Sequence, residues 1–123
     1  MTILQAIQKI DTLKPNTYTQ SEKVAWLNTI EGLIKRNVID THEDGEGIEF
    51  TGYDQDTPVD TEMIVYEPYD ELYVLWLEAM INYTNGEFVK YNNTIIRVND
   101  MQQAFANDYN RRHMPIGTHI RYF

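Results

Sequence analysis

The chain has 123 residues, 42% of them hydrophobic, which suits one folded domain with a single core. It contains no cysteine, so disulfides, cysteine-ligated metal sites and thiol nucleophiles are excluded. The formal net charge of −9 argues against a duplex-DNA binder, because such proteins need a basic surface to release counterions. No apolar run approaches the roughly 20 residues that span a bilayer, so we expect no membrane partner.

The charge is unevenly distributed along the chain. Residues 37 to 89 contain no lysine or arginine and hold 14 of the 19 carboxylates. All ten basic residues lie on either side of this interval. The sequence therefore predicts an acidic middle segment between two more basic regions. The acidic segment can attract either basic region, within one molecule or between copies.

Two helices are predicted in the first third of the chain. Apolar residues recur at helical spacing over residues 3 to 13, and Thr2 with Gln5 forms a capping-box pattern. A second capping-box pattern begins at Thr19 and precedes a wide apolar face that extends to Val38.

The next segment is acidic and rich in turn-forming residues. Residues 40 to 47 form an acidic loop, residues 48 to 53 alternate like a half-buried strand, and residues 63 to 66 form a second apolar run. We predict a small β-hairpin over residues 48 to 66, with an extended arm as the alternative.

A third helix is predicted to begin at Pro68, because proline suits the first helical position. This helix is apolar on all sides, which is typical of a helix at the centre of a bundle. The pair Asn85–Gly86 can cap it. A single glycine costs only about 1 kcal/mol within a helix, however, and we expect the helix to continue to Tyr91.

A fourth helix is predicted from the capping-box pattern at Asn99 to the basic residues before Pro115. The tail, residues 114 to 123, is predicted to be extended. The expected fold is mainly α: one domain over residues 1 to 123, a small bundle of about four helices with a hairpin or arm between the second and third.

No pattern of catalytic residues is present. The single serine, Ser21, lies in a helix cap, and the three histidines belong to no known motif. The loop at residues 40 to 47 lacks the spacing of a calcium-binding loop, although cation binding there stays open. We therefore expect no enzyme activity and no catalytic, cofactor-binding or metal-binding residue.

The candidate functional residues are charged or aromatic and belong to a possible interface. Arginine suits interface carboxylates, although basic residues at a helix end also complement the helix dipole. An apolar terminal segment is poorly suited to water and either folds back or docks on a neighbour. The candidates are Arg111, Arg112, Arg121, Tyr122, Phe123, Glu43, Asp44 and Glu46.

Several segments of the chain resemble one family. They are Leu13-Lys14-Pro15-Asn16, Lys23 with Trp26-Leu27, Pro68-Tyr69-Asp70-Glu71-Leu72-Tyr73, Asn85-Gly86-Glu87, Tyr91-Asn92-Asn93 and the run Phe105, Tyr109, Arg111. Together they resemble the head–tail connector (adaptor) proteins of tailed phages and prophages of Gram-positive bacteria. These motifs are packing signatures, and the family has no catalytic residues to transfer.

The resemblance implies a structural virion protein that assembles in the host bacterial cytoplasm. It implies a ring of about a dozen copies, with the portal protein above and a stopper or tail-completion protein below. DNA would pass through without specific binding, since an acidic lining repels the phosphate backbone. The alternatives are a head-completion stopper protein and an acidic protein that mimics DNA.

Overall fold

The computed structural model describes residues 1–42 and 47–113. Over these residues the chain forms helices α1 (Ile3–Leu13), α2 (Gln20–Asn37), α3 (Glu71–Thr84) and α4 (Phe88–Arg112), with a 3₁₀ turn (Ile39–Thr41) after α2. The predicted mainly helical class is confirmed. Within the described ranges no helix is both long and apolar enough to cross a bilayer.

The first two helices begin at the predicted caps. The Thr2 hydroxyl accepts from the Gln5 amide at 3.1 Å, and the Gln5 side chain accepts from the Thr2 amide at 2.9 Å. Thr19 accepts in the same way from the Glu22 amide at 3.1 Å. These bonds satisfy amides at the helix starts that lack partners within the helix.

Helix α3 is central, as its all-round apolar surface predicted. It packs against α1, α2 and α4, and its residues Leu72, Tyr73, Leu77 and Ile81 are fully buried. It begins at Glu71, however, so the predicted start at Pro68 was wrong. The preceding residues form turns, in which the Tyr69 amide donates to the Tyr66 carbonyl and the Leu72 amide to the Tyr69 carbonyl.

The predicted continuation of the third helix to Tyr91 was also wrong. Helix α3 ends at Thr84, and Gly86 has a φ of +79°, which favours glycine. The Gly86 amide donates to Tyr83 and the Glu87 amide to Asn82, so the turn occupies the last carbonyls of the helix. The glycine cap thus prevailed over helix propensity.

The fourth helix begins eleven residues before its predicted start at Asn99. Thr94 and Val98 are buried and extend the face that α4 packs against α3, where Asn82 donates to the Thr94 hydroxyl at 3.2 Å. Asn99 is exposed within the helix, so its cap-like pattern does not mark a boundary.

The predicted β-hairpin over residues 48 to 66 is not present, since the described residues contain no strand. The segment forms an irregular arm, a name used below for residues 48 to 66. Its backbone bonds to α1 instead of pairing with itself: the Ile3 amide donates to Thr61 at 3.1 Å and the Leu4 amide to Val59 at 2.8 Å. An isolated bridge joins Thr2 to Glu62.

Candidate interaction surfaces

A buried carboxylate fixes the arm to the helical core. Glu31, on α2, is 0% exposed. Its Oε2 accepts from the Tyr53 hydroxyl at 2.7 Å and from the Ile64 amide at 2.9 Å, while its Oε1 accepts from the Tyr73 hydroxyl. That tyrosine in turn accepts from the Val65 amide at 2.9 Å. Both ends of the arm are therefore tied to one side chain.

The electrostatics of this cluster follow from its burial. Desolvation raises the pKa of Glu31 above its usual value, although the three donors oppose that shift by favouring the carboxylate. Burial together with the adjacent carboxylate raises the pKa values of Tyr53 and Tyr73, so both hydroxyls remain donors at neutral pH. The hydrogen bonds of this cluster hold the arm against the helices, and this structural role accounts for the buried carboxylate.

A second contact joins the arm to the C-terminal end of α4. The Tyr66 hydroxyl donates to Asp108 Oδ2 at 2.6 Å. Asp108 also pairs with Arg111 at 3.1 Å and with Arg112 at 2.9 Å, and the Arg112 guanidinium lies 5.4 Å from the centre of the Tyr66 ring. The hydrogen bond from Tyr66, with the two arginines, lowers the pKa of Asp108.

This end of α4 carries two exposed arginines. The side chains of Arg111 and Arg112 are 68% and 66% exposed, and each bonds to Asp108 through one nitrogen. A guanidinium has five N–H donors in a planar fork, so both arginines have donors beyond the one that Asp108 occupies. The pair can bind a carboxylate or phosphate on another molecule while Asp108 holds the arginines in place.

The arm presents an acidic surface. Its carboxylates at positions 49, 54, 56, 60 and 62 are exposed, and so is that of Glu67 immediately after it. A groove of about 1010 Å³ lies between α1 and residues 62 to 71 and is lined by Glu62, Glu67 and Glu71. Lys9 pairs with Glu71 at 2.8 Å. These exposed carboxylates account for part of the acidic middle segment that the sequence predicts.

An apolar surface lies at the turn between α3 and α4. Tyr83, Phe88 and Val89 are 56%, 57% and 75% exposed, and we call them the corner patch. The Tyr83 ring contacts the rings of Phe88 and Tyr91 edge-on, with centroids 5.7 and 5.2 Å apart. The turn residue Glu87 forms ion pairs with Lys14 and Lys90, and these pairs hold in place the turn that carries the patch.

Of the predicted interface residues, only Arg111 and Arg112 lie within the described residues. Arg121, Tyr122, Phe123, Glu43, Asp44 and Glu46 lie outside the described residues, as does the predicted extended tail. His42 is buried, with Nδ1 2.6 Å from the Val38 carbonyl and Nε2 2.6 Å from Asn110 Oδ1. Over residues 1–42 and 47–113 no three histidine, aspartate or glutamate side chains are grouped to hold a metal ion.

Two features were missed from the sequence. Glu31 falls on the buried face of α2 between Leu27 and Ile34, and a carboxylate at such a position is a signal that could have been recognised. The corner patch was hidden because Phe88 and Val89 were assigned to a longer third helix.

Comparisons of the chain with protein-family models, with curated proteins and with solved structures find no significant match.

Proposed function

We propose that this protein is a head–tail connector that forms a ring between the portal protein and the stopper or tail components of a phage particle. The observation behind the proposal is the family resemblance, most of which falls in residues 68 to 111. In the fold these residues include α3, the turn at Gly86 and most of α4, and the two helices pack against each other. The proposal assigns the protein no catalytic activity.

The charge distribution supports assembly of identical copies. A ring needs heterologous contacts, in which two different patches of one chain meet on neighbouring copies. The exposed arginines at the end of α4 and the exposed carboxylates of the arm have opposite charge. Complementary charge orients two copies and accelerates their encounter. The acidic arm would also suit a wall past which DNA slides.

The test is the mass of the full chain in solution, alone and mixed with a phage portal protein from the same genome. A ring of about a dozen copies, or binding of several copies to the portal ring, is the expected result. The variant Arg111→Glu/Arg112→Glu should assemble less well, while Arg97→Glu, an exposed change on the same helix, serves as the control. A chain that stays monomeric and ignores the portal would refute the proposal.

The exposed carboxylates of the arm also favour a second candidate, an acidic protein that mimics DNA and occupies a basic site on another protein. This candidate predicts a stable monomer that inhibits a DNA-binding enzyme. The same mass measurement, followed by a nuclease inhibition assay, separates the two functions.

A further inference from the structure

We infer that the groove between α1 and residues 62 to 71 is the site at which one copy of the protein receives Arg111 and Arg112 of a neighbouring copy. The inference rests on the proposed function, which brings copies together, and adds which two surfaces meet. One surface is the concave, acidic groove, and the other is the exposed basic end of α4. Both lie within the described part of the chain.

The groove carries more negative than positive charge. Carboxylates at positions 62, 67, 70 and 71 line it, against the side chain of Lys9 and the amino group of Met1. Lys9 pairs with Glu71 at 2.8 Å, and the amino group pairs with Glu62 at 3.0 Å. Over residues 1–42 and 47–113 no cation pairs with Glu67, which is exposed, and the side chain of Glu62 is 70% exposed. An incoming cation therefore meets two accessible carboxylates.

The walls of the groove suit a long basic side chain. Leu13 at the rim is 69% exposed, and the partly buried side chains of Ile64 and Tyr66 also line the groove. An arginine buries its methylene stem on such apolar surface and presents its planar fork of donors to carboxylates. Apolar walls beside carboxylates thus match an arginine of a protein partner better than a small hydrated ion.

The end of α4 provides this chemistry on the same protein. Arg111 and Arg112 are adjacent and exposed, and each keeps donors beyond the one that Asp108 occupies. Neither arginine lines the groove of its own chain, and neither does Asp108. The arginines of one copy and the groove of another therefore form a pair of surfaces with opposite charge, which orients two copies as they meet.

Exchange of charge between two variants tests the contact. Arg111→Glu/Arg112→Glu is the arginine variant and Glu62→Arg/Glu67→Arg is the groove variant; all four positions are exposed, so both should fold. Alone, each should need a concentration about tenfold higher than the unmodified chain to self-associate, because like charges then meet. An equal mixture of the two should recover the unmodified behaviour, because every contact between unlike copies is again complementary. Sedimentation of the full chains, with and without the portal ring, measures self-association.

Glu49→Arg/Asp60→Arg is the matched control. It changes the net charge by the same amount as the groove variant, also at exposed positions of the arm, but neither residue lines the groove. Mixed with the arginine variant, it should restore nothing. Equal restoration by the control would show that net charge, and not the groove, determines assembly, and the inference would fall. If the groove variant melts below the unmodified chain, Glu67→Arg mixed with Arg112→Glu repeats the test at a carboxylate that forms no ion pair within the described residues.

The outcomes separate this inference from the proposed function. Unmodified chains that assemble, with a mixture no better than either variant alone, refute the groove contact and leave the connector proposal intact. Arginines bound to the groove of their own chain would give that result, since mixing cannot repair a contact within one molecule. Recovery in the mixture by a protein that never joins the portal supports the contact and refutes the connector. Chains that neither self-associate nor join the portal refute both.

Discussion

Replacement of Glu31 by alanine should loosen the arm and destabilise the whole fold. The substitution removes the acceptor of three donors: the hydroxyls of Tyr53 and Tyr73 and the amide of Ile64. A buried donor without an acceptor costs about 1–3 kcal/mol. The Tyr73 hydroxyl is fully buried and bears the full cost, whereas the Tyr53 hydroxyl and the Ile64 amide are partly buried and bear only part of it.

The expected loss is about 3 kcal/mol, because relief of the buried charge offsets part of the cost of the orphaned donors. A small domain has a total free energy of unfolding of about 5–15 kcal/mol, so the variant should still fold. Glutamine should cost less than alanine. Its amide oxygen can serve the two donors at Oε2, while its amide nitrogen faces the Tyr73 hydroxyl and leaves that hydroxyl proton without an acceptor.

The assay is urea unfolding monitored by tryptophan fluorescence, together with hydrogen exchange of the Ile64 and Val65 amides. Glu49→Ala, at an exposed position of the arm, is the control and should change stability by no more than about 0.5 kcal/mol. If Glu31→Ala unfolds at the same urea concentration as that control, the cluster does not fix the arm and this reasoning is wrong.

The pH dependence of Glu31 provides a second check on the same side chain. Its pKa is raised on folding, so the folded state binds more protons than the unfolded state above the ordinary value of 4.5. Stability due to this group is therefore present at low pH and is lost as the pH rises through the folded pKa. Glu31→Gln should remove that decline.

Three further predictions concern other parts of the fold. The pKa of Asp108 is lowered on folding, so the wild type gains stability from this carboxylate above pH 3.8 and loses it as the pH falls through the lowered pKa. Asp108→Asn should remove that gain. Urea midpoints across pH 2–6, with Asp100→Asn as control, measure the difference. Phe105→Ala, at a fully buried ring, should cost about 3–5 kcal/mol in thermal unfolding, whereas Phe88→Ala at the exposed patch should cost far less. Gly86→Ala should cost about 1 kcal/mol because of its positive φ alone, since no atom lies within 4 Å of an added Cβ. Gly47→Ala is the control: this glycine has the same open space but no positive φ, so the substitution should leave the free energy of unfolding unchanged.

Local rules predicted the helices well where they acted alone. The caps at Thr2 and Thr19 are short-range hydrogen bonds, so the sequence contains all that determines them. At Asn99 the same rule failed, because packing of Thr94 and Val98 against α3 keeps the helix continuous through the pattern. Tertiary burial outweighs a cap worth about 1 kcal/mol.

The hairpin was predicted because period-2 alternation in residues 48 to 53 was interpreted as pairing with residues 63 to 66. Alternation shows only that one side of a segment is buried. Here the buried sides face α2, and the Glu31 cluster takes the place of a strand partner. That cluster joins residues more than 20 positions apart, and no short-range pattern could reveal it.

The contact that Arg111 and Arg112 can offer a neighbouring copy should affect the rate of assembly more than its strength. Exposed ion pairs add about 0–1 kcal/mol each and weaken with salt. Charges of opposite sign nevertheless accelerate the encounter of two copies and orient them. Raising the salt concentration should therefore slow assembly more than it hastens dissociation.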